Sequence, residues 1–575
     1  MQDQDRAAAD AGTFDAIVVG AGSGGCVVTR RLVQAGWRVL LLEAGPSDDH
    51  LFVRMPATFV RVIGTERTWL YESRPQAAAG GRTMHVPQGR TLGGSSSVNA
   101  MVYIRGQAQD YDDWAADGLQ GWAWRDVLPW FRHAESNQRL SGEHHGTEGP
   151  LVVSDTRFRH PLSLAFVKAA QECGLPWNHD FNGARQDGVG FYQTTTREGE
   201  RASTAATYLA AVRRHPGLTV VTRAQVHRVV IEGGRATGVV WHDGAGLHRA
   251  NATREVVLSA GALSTPKLLM LSGVGSAAHL QGFGIPVRQD LPGVGENFQD
   301  HLEVGVYGRC REPISLLGQD QGWTALQHGL QWQLFRTGLL TSNVVESGGF
   351  VDTAGHGRPD VQFHVLPTLV GDVGRDPLPG HGLSLNPCFL RPQSRGVVRL
   401  AGTDPQQQAD FDGRFLSAEA DVQTLMRGVR LARRILRAPS LARLLSEELA
   451  PGAAADLSDA AIEAHVRSHA KTVYHPAGTC RMGIDGDPLA VLTPELQVRG
   501  IAGLRVADAS AFPRLVSGNT NAPVVMLAER CAAFALGHGL AAPTPAESAH
   551  LSEPGACAPT VHRSTAPATP HHEPA

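Results

Sequence analysis

Cysteine is scarce and scattered in this chain. The seven cysteines among 575 residues stand singly, with neither CxxC spacing nor an even count. That excludes a disulfide framework and a thiolate metal centre as organising features, and leaves reduced thiols that pack. Long apolar runs are missing too: the best late candidate, "APVVMLAERCAAFALG", carries Glu529 and Arg530 in its middle, so no spanning helix is expected. Excess basic charge is absent, with a net charge of -3, which removes the electrostatic case for a nucleic-acid partner. The opening "MQDQDRAAADAGTF" lacks the basic start and apolar core of a secretory signal. These absences predict a cytoplasmic protein, with peripheral membrane contact and oligomerisation left open. Neither HExxH nor Cys/His ligand spacing occurs, so no metal is expected, and His144 and His145 read as part of a solvated loop.

What remains is a chain with 42% hydrophobic and 19% charged residues, long enough for two domains, each with a core of its own. "FDAIVVGAGSGGCVVTRRLVQAGWRVLLLEAG" reads as strand, glycine turn, helix and strand, a βαβ unit. Short β-rich runs around Gly233-Gly234 predict antiparallel strands. Runs at 15–19, 39–43, 255–259 and 503–508 fit one parallel sheet assembled from distant pieces. The fold class expected is therefore α/β, with a discontinuous Rossmann-like domain and a second domain of mixed or antiparallel sheet and helices.

Gly20, Gly22 and Gly25 fill the pattern GxGxxG between strand and helix. Glycines there permit a tight turn and a close backbone approach, so a pyrophosphate can sit on the helix N-terminus. Glu43 ends the next strand, where a carboxylate can accept hydrogen bonds from an adenosine ribose. The same turn supports a rival reading, with Ser23 as the nucleophile of a hydrolase elbow. Gly20, the absence of preceding strands and Glu43 argue against it. "GRTLGGSSSVNAMVYIRG" (89–106) adds small residues and backbone amides able to lie against a planar, oxygen-rich ligand. His475, in "TVYHPAGTC", has three candidate jobs: a satisfied core histidine, a metal ligand or a base.

The segments 89–106 and 261–275, with "LPGVGENFQDHL", "HPAGTCRMG" and "GLRVADAS", resemble the glucose-methanol-choline oxidoreductases from about Phe14 to about Leu540. The resemblance implies FAD and alcohol oxidation. Gly20, Gly22, Gly25 and Glu43 would hold the ADP part. Gly94, Asn99 and Ala100 would lie near the flavin, Val226 near adenine, and Asp508 near the ribityl and pyrophosphate region. Where some members carry a flavin-linking histidine this chain has Val98, so the FAD should be noncovalent. His475 matches the active-site base and Asn519 its partner. Thr520 and Asn521 precede Pro523 at a helix start, whose positive end would favour a reduced flavin.

Choline-oxidising members look especially similar, and there an acid and aromatic rings hold a quaternary ammonium. Glu303 is the tentative counterpart of that acid and Trp69 of one of the rings, Trp332 lies in a further candidate stretch, and His364 matches an auxiliary active-site histidine. "LTSNVVESGGFVDT" (340–353) is closer to broad alcohol dehydrogenases of the family. The expected substrate is thus a primary alcohol, choline being one candidate among aliphatic and aromatic alcohols, and oxygen or a quinone takes the electrons. A hydroxynitrile lyase on the same fold is the alternative. A light-driven decarboxylase is disfavoured by His475 and Leu390 at its distinguishing positions. The expected division is an FAD-binding domain from 14–155, 200–310 and 476–540, a substrate-binding domain from 156–199 and 311–475, and disordered tails at 1–13 and 541–575.

Overall fold

Ile17, Val18, Leu41, Val256 and Val257 are wholly buried, as expected of strands covered on both faces. In the computed structural model, which describes residues 8–371, 378–452, 454 and 456–539, they form the centre of a seven-stranded sheet. Ala9–Val19 lies parallel to Val39–Leu42 on one side and Leu247–Leu258 on the other. Leu218–Val221 extends the sheet parallel to Val39–Leu42, and Leu504–Val506 pairs parallel with Leu247–Leu258. Arg235–His242 and Gln225–Glu232 complete it as an antiparallel hairpin. The four distant runs expected in one parallel sheet are therefore together. Helices Ser23–Gln34 and Asn521–Ala535 pack on each other, tied by the buried Arg31–Glu529 ion pair at 2.7 Å.

A second sheet, eight-stranded and antiparallel, runs through Leu445–Ala450, Val306–Cys310, Gly382–Phe389, Val361–Leu366, Ser347–Val351 and Gly188–Phe191. The short strand Leu302–Glu303 pairs with both Gly382–Phe389 and Lys471–Thr472. Helix Glu419–Leu436 packs on this sheet through Val422, Leu425, Met426 and Val429.

Three expectations need correction. The strands Leu302–Glu303 and Val306–Cys310, expected with the FAD-binding segments, belong to the second sheet, because their hydrogen-bond partners are there. The N-terminal strand starts at Ala9 rather than after residue 13, because the long strand Leu247–Leu258 extends far enough to pair Ala9 with His248. His145 is buried rather than solvated: its ring lies 3.2 Å from Glu135 and 2.9 Å from Asp180, in a cluster with the buried Arg105. Residues 1–7 and 540–575 lie outside the described residues, as does Cys557. The six described cysteines are free, five of them buried. Among the described residues, no helix is long and apolar enough to cross a membrane.

Candidate active site

Between the two sheets runs a cavity of about 1360 Å³, larger than one ordinary small-molecule pocket. All the site residues read from the sequence line it except Gly25. Gly25 serves packing instead: a Cβ there would lie 1.9 Å from the Gly20 carbonyl oxygen, and one on Gly24 would lie 1.9 Å from that of Ala507. The helix that follows is capped by Gly22 with no side-chain hydrogen bond, so its first-turn N–H groups stay available to an anion. A Cβ on Gly94 would meet Gly22 Cα at 2.6 Å, so the second loop lies directly over the first.

The carboxylate of Glu43 accepts from Ala21 N and Gly45 N, both at 2.9 Å. Burial pushes its pKa up to about 7 despite those bonds, and its remaining lone pairs are free to accept from hydroxyls. Asn99 is fixed by the buried Arg201, whose guanidinium donates to its side chain at 2.9 Å and its carbonyl at 2.7 Å. Asp508 accepts from Gly261 N, Thr265 Oγ1 and Ser510 N, and so locks two cavity walls together. Ser259, against the glycine turn, keeps a buried hydroxyl without a partner. An uncapped helix end, a glycine cradle, an acid with spare lone pairs and an orphaned hydroxyl together fit the adenosine and pyrophosphate of FAD. Ser23, the rival nucleophile, gives its hydroxyl proton to Asn521 Oδ1 at 2.8 Å, an acceptor that cannot serve as a base.

At the other end of the cavity, strand register assembles the reactive groups. Leu302 pairs with Thr472 and Glu303 with Lys471, which brings His301 beside the chain leading to His475. Asp300 accepts from the His475 amide at 2.8 Å and from Thr472 Oγ1, and Tyr474 makes the intervening turn at φ 70°. That left-handed conformation, rare for a bulky residue, turns the imidazole into the cavity.

The imidazoles of His301 and His475 stand Nδ1 to Nδ1 at 3.0 Å, and His301 Nε2 lies 3.0 Å from the Leu390 carbonyl. Burial holds the pKa of His301 down to about 4, so the ring is neutral. A carbonyl only accepts, so Nε2 of His301 carries the hydrogen and its Nδ1 is a lone pair. His475 must then donate from Nδ1, which leaves a lone pair on its Nε2. That atom is 3.3 Å from Asn519 Nδ2, while Gln362 donates to Asn519 Oδ1 at 3.1 Å and fixes the amide orientation. Burial, then His301 and His364, hold His475 well below the ordinary histidine pKa. In this structure the Asn519 amide donates to that lone pair, so a neutral imidazole acceptor and an amide donor meet at the cavity wall.

The tentative substrate group is less open than the sequence suggests. Glu303 accepts from His364 Nδ1 and Asn386 Nδ2, both at 2.8 Å, and lies 3.5 Å from Lys471 Nζ. Trp69 has the Arg90 guanidinium 4.2 Å from its ring centre, and Trp332 has that of Arg336 at 4.0 Å. His301, Gln362, Asn386 and Lys471 escaped sequence reasoning. The signal that places them is strand register, which periodicity does not carry.

Comparison with known proteins agrees with this geometry. The profile described as GMC oxidoreductase matches residues 14–303 with its N-terminal part and 392–528 with its C-terminal part. The chain is 44% identical over 532 residues to an alcohol dehydrogenase [acceptor] of Pseudomonas putida, covering 90% of this chain and 95% of that one. It is 42% identical over 545 residues to the mitochondrial choline dehydrogenase of Mus musculus, covering 93% and 91%. Among solved structures, pyridoxine 4-oxidase from Mesorbium loti superposes with a TM-score of 0.83 at 30% identity, covering 91% of this chain and 99% of that one. With matched segments in both halves and a cavity built as that fold requires, the chain belongs to the GMC oxidoreductase family.

Proposed function

We propose that this protein oxidises a primary alcohol to an aldehyde, with His475 as the base and Asn519 as the group that orients the alcohol oxygen. As a family member it is an FAD-dependent alcohol oxidoreductase. The finer reading rests on one observation: the hydrogen-bond chain from the Leu390 carbonyl through His301 makes Nε2 of His475, a cavity-lining residue, the acceptor that the Asn519 amide donates to.

An alcohol hydroxyl set against these two groups takes the amide's place as donor to Nε2 of His475 and accepts from Nδ2 of Asn519. His475 takes the hydroxyl proton, and a neutral imidazole suits that task near pH 7. Its Nδ1–H, held by His301, keeps the ring from rotating and shares the positive charge that develops. Gln362 keeps the Asn519 amide turned so that its N–H, not its carbonyl, meets the substrate oxygen. Bound FAD supplies the acceptor for the hydride that leaves the carbinol carbon. Gly20, Gly22, Glu43, Gly94, Asn99, Ala100, Val226, Asp508, Thr520 and Asn521 are the residues proposed to hold it.

The purified protein is expected to be yellow and to bleach anaerobically when a primary alcohol is added. A colourless protein, or one that keeps its colour with every alcohol of an aliphatic, aromatic and cationic panel, overturns the reading. A hydroxynitrile lyase would keep its colour while cleaving a cyanohydrin. Admitting air after bleaching distinguishes oxygen from another acceptor.

A further inference from the structure

We propose that Lys471 sets substrate specificity by neutralising Glu303, so that the cavity takes uncharged alcohols in preference to quaternary ammonium alcohols such as choline. The inference rests on the alcohol-oxidation reading and concerns the substrate end of the same site.

Three observations carry it. Glu303 and Lys471 are register partners across adjacent antiparallel strands, 94% of each is shielded from solvent, and their charges stand 3.5 Å apart. Opposite charges in that position form a cross-strand pair, and the pair offers a third group no net charge. Lys471 is anchored by its own hydrogen bonds to the carbonyls of Val370, at 3.3 Å, and Gly371, at 2.8 Å, so it cannot swing away to expose the acid. The carboxylate oxygens are further occupied by His364 and Asn386.

The surroundings reinforce this. Trp69 and Trp332, two rings lining the same cavity, each already carry an arginine guanidinium on the ring. The polar atoms that His364 and Asn386 keep unpartnered are His364 Nε2 and Asn386 Oδ1. Since His364 is next to Glu303 through Nδ1 and Asn386 donates to the same carboxylate through Nδ2, neither spare atom is an anion. His364 follows Gln362 by two residues on one strand, so it shares that residue's face and stands roughly 7 Å along it. That places the neutralised acid about one small substrate's length from Asn519. A buried cation without a counter-charge is strongly disfavoured.

The test uses choline and 3,3-dimethylbutan-1-ol, which keeps choline's shape with carbon in place of the ammonium nitrogen. Anaerobic stopped-flow reduction of the holoenzyme gives kcat/KM for each, and calorimetry gives each Kd. In the wild type the uncharged alcohol is expected to be preferred by about tenfold or more. Lys471→Met removes the neutralising charge at similar volume and is expected to shift the ratio toward choline by about tenfold. Adding Glu303→Gln to that variant restores the wild-type ratio, which a merely structural role of Lys471 would not do. The proposal is overturned if wild-type enzyme handles choline as well as the isostere, or if Lys471→Met leaves the ratio within about twofold. The wild-type comparison decides even if the variants do not fold. If neither alcohol reduces the flavin, the alcohol panel decides whether alcohol oxidation is the function, while the order of the two Kd values still upholds or overturns the selectivity.

Discussion

His301 and His475 meet Nδ1 to Nδ1 at 3.0 Å with their rings crossed at 85°. Two identical atoms at that distance require one to carry the hydrogen and the other a lone pair, and the Leu390 carbonyl decides which. His301 is thus a positioning residue: it fixes the tautomer that leaves His475 Nε2 able to accept a proton.

Replacing His301 by leucine removes the acceptor for the Nδ1–H of His475. Flavin reduction by alcohol is expected to slow by roughly 10- to 100-fold, while His301→Gln, whose side-chain carbonyl can accept, recovers part of the loss. Because the neutral His301 accepts from Nδ1–H, it also steadies the imidazolium that forms on His475, so the acid limb of the leucine variant should lie at lower pH than that of the glutamine variant. Equal rates and equal pH profiles in the two variants would remove the tautomer argument.

His475→Ala deletes the lone pair itself. Its effect on the reductive half-reaction should exceed that of any neighbour, at about three orders of magnitude or more, because base, orientation and charge sharing vanish together. FAD content, read from the visible spectrum, should stay at the wild-type level. Survival of flavin reduction within about tenfold would mean another group takes the proton.

The pH dependence has a definite sign. Only neutral His475 can accept a proton, and burial with His301 and His364 holds its pKa well below 6.5. The kcat/KM for flavin reduction should therefore stay level as pH falls through 6.5 and drop only at more acid pH. Asn519→Asp places a carboxylate beside Nε2, which stabilises the imidazolium. In that variant the drop should begin at higher pH, and an unmoved acid limb would show that His475 is not the group titrating.

Val98 lies buried beyond the turn Gly94–Ser97 and lines the cavity. Its side chain has no atom able to bond to a flavin carbon, so acid precipitation should leave all the yellow colour in the supernatant, as FAD by mass spectrometry. Flavin retained in the pellet on a peptide would refute noncovalent binding.

The glycine turn was legible in the sequence because its requirement is local: a Cβ on Gly25 would strike the carbonyl oxygen of Gly20, in the same turn, at 1.9 Å. The same holds for the βαβ unit, whose apolar runs sit in contiguous residues, and for the start of helix Asn521–Ala535. His145 was misread for the opposite reason. Its partners Glu135, Asp180 and Arg105 come from separate segments, and nothing beside it in the chain announces burial.

By itself, the sequence determined the α/β class, the dinucleotide turn and the identity of the candidate groups, since each is written in a short stretch with its own backbone demands. Only the tertiary structure decided what state those groups are in. The pairing of Leu302 with Thr472 and Glu303 with Lys471 joins strands far apart in the chain. That one register both sets His301 against His475 and cancels the charge of Glu303. Cross-strand register is fixed by packing and hydrogen bonding of the whole sheet, which is why the acid that reads in sequence as a cation site is, in the folded protein, already paired.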